Sequence, residues 1–108
     1  MDPNGGPIRS LYEDDPAHAE AIEAFVVALA ERIDALQDNE VAGDWPRLVA
    51  GLGELASAAQ RVGYPELAQC AAEVSRAAQD RHAELAYKAL VVLTDVAQRV
   101  RRAHRGSL

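Results

Sequence analysis

RLVAGLGELASAAQRVGYPE, residues Arg47–Glu66, repeats its apolar side chains three and four positions apart: Leu48, Leu52, Leu55, Ala59 and Val62. That is the spacing of one buried helical stripe. At about 100° per residue, Leu48, Leu55, Ala59 and Val62 fall within about 80° on one side of Leu52. On its other side, at roughly 40–140°, lie Ala56, Val49, Gln60, Gly53 and Ser57. One flank of an ordinary core helix is thus lined with small side chains, and Gly53 sits near its middle. Glycine within a helix costs about 1 kcal/mol relative to alanine. This helix carries both Gly51 and Gly53, so propensity does not account for the flank.

The segments on either side show the same period. Asp15-Pro16 is a helix start, with an acidic N-cap and proline at the first helical position. The helix it opens predicts Ile22, Phe25, Val26, Leu29, Ile33 and Leu36 as its buried stripe and stops at Gly43, a natural C′ residue. Asp44 caps the next helix, with Pro46 in its first turn and Trp45 over the bundle end. That helix ends at Gly63, and Tyr64-Pro65 opens a third with Leu67, Cys70, Ala71, Val74 and Ala78 inside. Gln79–Ala83 reads as a polar break. The last helix, roughly 84–102, is expected to bury Leu85, Ala89, Leu93, Val96 and Val100, with Leu90 and Val92 widening the stripe. Ile8 to Glu13 forms a short helix or a cap, and residues 1–7 are read as a disordered tail. The expected fold is all-α, an antiparallel up-down four-helix bundle over residues 8–105.

A length of 108 residues suits one domain. The lone Cys70 excludes an internal disulfide and fits a reducing compartment. No signal-like N-terminus and no run of about 18 apolar residues is present, so a cytoplasmic protein without a membrane span is expected. The net charge is −6. Residues 1–54 hold 12 acidic and 3 basic side chains, whereas residues 55–108 hold 5 and 8. An acidic chain repels phosphate backbones, which argues against nucleic acid as a partner. The arginines near the C-terminus (Arg99, Arg101, Arg102, Arg105) read as complements of a helix dipole.

The motif Gly63-Tyr64-Pro65-Glu66-Leu67, placed after this central helix, resembles the histidine-containing phosphotransfer (HPt) domain family, the four-helix relay modules of bacterial phosphorelays. The resemblance extends to Pro7-Ile8-Arg9-Ser10-Leu11-Tyr12, Asp14-Asp15-Pro16, the Phe25–Leu36 helix and Gly43-Asp44-Trp45, and so covers nearly the whole chain. In that family the central helix carries a phospho-accepting histidine, a lysine three residues later and a glycine after the lysine. Counting back from the turn, Gly53 occupies the histidine position, Ala56 the lysine position and Ser57 the glycine position. The resemblance therefore implies a degenerate member in which the scaffold persists and the acceptor is absent.

None of the three histidines carries the family's pattern. A phosphotransfer module needs an exposed imidazole, a nearby cation and small neighbours that admit the receiver. His18 lies among Asp14, Asp15 and Glu20, whose charges would repel an acidic receiver site. His82 lies beside Arg81, and His104 lies near the C-terminal end. None is followed by lysine at the third position and glycine at the fourth. Three scattered histidines and one cysteine do not form a metal-ligand cluster, and no cofactor is expected. Glu20, Glu23, Glu31, Asp34, Asp38 and Glu40 read as a solvated face. No phosphate-cradling loop, Ser/His/Asp set or paired-carboxylate pocket is visible, so no enzymatic activity is expected.

The resemblance implies a two-component signalling role without phosphotransfer, in which Val49, Gly53, Ala56, Ser57 and Gln60 dock a response-regulator receiver domain or a histidine kinase. Two alternatives stand beside it. The chain can be a structural or interaction bundle whose small-residue flank serves self-association, or a transmitter that uses an unconventional residue.

Overall fold

A computed structural model describes residues 6–106 of the chain. The Asp15-Pro16 pair opens it: the Asp15 carboxylate accepts a hydrogen bond from the Ala17 N–H at 3.0 Å. That bond and a second with His18 hold the Asp15 carboxyl below its ordinary value. The first turn, Pro16–His18, is a 3₁₀ helix, and it leads directly into α1, Ala19–Ala42. Three further helices follow: α2, Trp45–Arg61; α3, Pro65–Gln79; and α4, Ala83–Gly106. The described residues contain no strand.

Each helix junction closes in the same way. An N–H two or three residues beyond the helix bonds back to the carbonyl five positions earlier: Asp44 to Asn39 at 2.9 Å, Tyr64 to Ala59 at 2.8 Å and His82 to Ala77 at 3.0 Å. This closure needs a left-handed residue just before that N–H. Gly43 (φ 68°) and Gly63 (φ 85°) supply it at no steric cost, whereas the third position holds Arg81 (φ 53°). The polar break read at Gln79–Ala83 is therefore a tight link, Asp80-Arg81-His82, stabilised by the same backbone geometry.

Packing joins α1 to α2, α2 to α3, α3 to α4 and α4 back to α1, so every helix has two neighbours. Leu29, Leu48, Leu52, Leu67, Val74, Leu93 and Val100 have no exposed surface in the core between them. Ile22, Phe25, Ile33, Leu36, Leu55 and Val96, all expected inside, are buried as well. Two residues of α4 depart from expectation: Leu85 is 52% exposed and Val92 is 53% exposed. Leu90 is buried as expected, and Ala86 and Ala97, which the stripe did not include, are buried as well. Val92 lies about 100° from Leu93, off the buried stripe, and Leu85 sits in the first helical turn about 80° away. Ala89 and Cys70, both expected inside, are half-buried.

Ile8–Glu13 is a cap rather than a helix. Leu11 donates its N–H to the Gly63 carbonyl at 2.8 Å, and the buried Ser10 hydroxyl donates to the Val62 carbonyl at 2.5 Å. This strap lies against the α2–α3 turn. Of the expected disordered tail, residues 1–5 lie outside the described residues. Gly6 is described, and its carbonyl accepts from Arg99 Nε at 2.8 Å. Arg99 therefore differs from its reading as a helix-end charge: its side chain is 12% exposed and also lies 3.9 Å from Glu66 on α3. No described helix is long and apolar enough to cross a membrane.

Candidate functional site around Gly53

The central helix α2 is capped by Asp44, whose carboxylate accepts from the Arg47 N–H at 3.2 Å. Its two internal glycines have different causes. A Cβ built on Gly51 would lie 2.9 Å from Leu36 Cδ2, so Gly51 admits the close approach of α1. A Cβ on Gly53 would have no atom within 4 Å beyond its chain neighbours and the adjoining helix backbone. Packing thus explains Gly51 and leaves Gly53 unexplained.

Of the five flank residues expected at the site, Gly53, Ser57 and Gln60 are exposed, and Val49 and Ala56 are half-buried against the core. The structure groups only two of them in one depression. Gly53 and Ser57 share it with Ala50, Glu54 and Arg61 of α2 and with Arg32 of α1, and its volume is about 570 Å³. Val49, Ala56 and Gln60 lie on the neighbouring side of the helix and do not line it. Ala50, Glu54 and Arg61 could have been found by continuing the helical wheel past Ser57, since they fall at roughly 160–200° from Leu52. Arg32 could not, because only tertiary packing carries it there.

Arg32 is positioned by an aromatic pair. Its guanidinium carbon lies 5.9 Å from the Phe25 ring centroid, and Phe25 stacks on Tyr64 at 5.8 Å. Burial, then the nearby Glu13 charge, push the Tyr64 phenol above its ordinary value. Among the described residues, Arg32, Arg61 and Glu54 form no ion pair with one another or with other groups. The depression therefore carries two guanidiniums against one carboxylate, within a chain of net charge −6.

None of the three histidines lines this depression. His18 stacks on Tyr12 at 4.5 Å and its Nδ1 lies 2.9 Å from the Asp15 carboxylate. His82 Nδ1 accepts from the Leu85 N–H at 3.3 Å, so it caps α4. Among the described residues, His104 Nε2 is buried without a hydrogen-bond partner, beside a separate cavity of about 430 Å³ that Arg9, Glu13, Asp14 and Tyr64 also line. The depression around Gly53 offers a hydroxyl at Ser57 with no imidazole beside it, and backbone alone at residue 53. It can contact an anion or a partner surface, and its lining holds no group that readily accepts a phosphoryl. Among the described residues no cluster of three or more histidine, cysteine, aspartate or glutamate side chains is placed to hold a metal ion. Burial, followed by repulsion from Glu73 and Glu66, raises the Cys70 thiol above its ordinary value.

No family model matches the chain, and no curated protein or solved structure matches it either.

Proposed function

We propose that this chain is a phosphotransfer-inactive relative of the HPt domains, an antiparallel up-down bundle that docks a response-regulator receiver domain through the outer face of α2 without accepting its phosphate. Links of two or three residues between α1, α2, α3 and α4 support the up-down arrangement, because consecutive helices so closely joined reverse direction. The observation that carries the functional reading is Gly53. It lies exposed within α2, with nothing near its Cβ position, where the HPt-like motif would place the accepting imidazole. A docking face preserved without its nucleophile can bind a receiver, and it provides no atom to attack the acyl phosphate.

The test is phosphotransfer from a phosphorylated receiver, read on a gel that preserves labile phosphate. The wild-type chain is expected to stay unlabelled. Gly53→His combined with Ala56→Lys and Ser57→Gly is expected to gain label, because the half-buried position 56 lets a lysine run its stem along the core and extend its ammonium outward. Label on the wild type would overturn the inactive reading and direct attention to His18 or His82.

A second reading, a self-associating helical module with no phosphorelay role, is favoured by a different surface. Val41, Tyr87 and Val91 are 83%, 58% and 51% exposed and line an apolar groove of about 350 Å³ with Leu90. Sedimentation equilibrium separates the two: a dimer disrupted by Val91→Asp would support self-association.

A further inference from the structure

We infer that the Gly53 depression distinguishes the phosphorylated state of the docked receiver, with Arg32 and Arg61 binding the acyl phosphate while it stays on the receiver's aspartate. This rests on the receiver-docking reading and adds regulation to it. The chain would bind the activated receiver in preference to the resting one, and thereby sequester it.

Three observations carry it. The first is space: residue 53 has no side chain, and a Cβ there would touch nothing within 4 Å, so a group projecting from a partner can enter where an imidazole would stand. The second is charge. Arg32 and Arg61 border the depression from different elements, and among the described residues neither is ion-paired. Guanidinium groups match phosphate oxygens in a two-pronged geometry and stay charged at any physiological pH. A phosphorylated aspartate brings about two negative charges in place of one, so two cations favour it over the free carboxylate. The third is chemistry. Ser57 and Glu54, which complete the lining with Ala50 and Gly53, lack an adjacent imidazole to activate the hydroxyl. The phosphoryl group is held and not transferred, and no covalent bond changes.

The experiment is calorimetric titration of the full chain with receiver domains of the same organism. Each receiver is used untreated and again loaded with beryllofluoride, which mimics the aspartyl phosphate. A docking receiver is expected to bind at least about fivefold more tightly when loaded, a coupling of ordinary size for two linked states. Arg32→Gln with Arg61→Gln should bring that ratio to near one; both side chains are exposed, so circular dichroism should show an intact fold. Glu54→Gln should raise the ratio. Equal affinity for loaded and unloaded receiver would overturn this inference and leave the docking reading in place, as would a preference that survives loss of both arginines. Failure of every receiver to bind in either state would overturn the docking reading itself.

Discussion

Replacing Gly53 with alanine tests whether this glycine has any structural purpose. It lies in the middle of α2, its added Cβ would meet no atom within 4 Å, and its φ is not positive. Alanine removes backbone freedom from the unfolded chain and is favoured in the helix by about 1 kcal/mol. No steric cost opposes this, so Gly53→Ala should stabilise the domain by roughly 0.5–1 kcal/mol. At about 4–8 °C per kcal/mol for a domain of this size, the Tm should rise by about 2–8 °C. Two other glycines serve as controls. Gly51→Ala gains the same helix propensity but drives a Cβ to 2.9 Å from Leu36 Cδ2, in a leucine that is 3% exposed. Overpacking of this kind costs about 1–3 kcal/mol, so the change should be neutral to destabilising. Gly63→Ala combines a φ of 85° with contacts of 2.7 Å to Ser10 Oγ and 3.0 Å to the Leu11 backbone nitrogen. Left-handed strain and weakened strap hydrogen bonds should together cost roughly 2–4 kcal/mol. Urea and thermal unfolding, followed by circular dichroism, rank the three. A Gly53→Ala protein no more stable than wild type would refute the claim that packing leaves this position free.

Leu52, with no exposed surface, should lose roughly 2–5 kcal/mol on truncation to alanine, seen as a lower urea midpoint. Arg81→Gly should raise the Tm, since relief of the left-handed strain at φ 53°, about 1–2 kcal/mol, outweighs the added freedom of the unfolded chain. The Asp15 carboxyl is depressed by the Ala17 N–H and by His18, so its stabilisation is complete above the ordinary value of 3.8 and is lost as pH falls through the lower folded value. Asp15→Asn should accordingly flatten the stability profile below about pH 4, measured by thermal unfolding across acidic buffers.

Much of the architecture was legible because its causes are local. Asp15-Pro16, Asp44 with Pro46, and Gly63-Tyr64-Pro65 specify where helices begin and end through hydrogen bonds and φ angles within a few residues. The leucine stripe of α2 and the Ile22–Leu36 stripe of α1 follow from helical period alone. Legibility stopped where the period was ambiguous. Leu85 and Val92 look as apolar as Leu90, but which of them faces inward depends on how α4 rotates against α1 and α3, and that rotation left Leu85 and Val92 outside and put Ala86 inside. Arg81 carried no turn signal, since arginine is rarely left-handed, and only the closure from His82 to Ala77 reveals it.

The candidate site divides along the same line. Gly53 and Ser57 could be placed on an exposed flank from sequence, because residues of one helix keep fixed angular relations. The different roles of Gly51 and Gly53 could not be separated, because only the position of Leu36 on another helix distinguishes a glycine that is packed from one that is open. Arg32 joined the site for the same reason. It stands about twenty residues before Gly53, and it arrives there because α1 packs along α2 and Phe25 holds the guanidinium. Sequence alone therefore determined the helices, the α1–α2 and α2–α3 junctions and most of the buried stripes, all properties of neighbouring residues. Tertiary structure decided which charges meet over Gly53, because that depends on packing between helices distant in the chain.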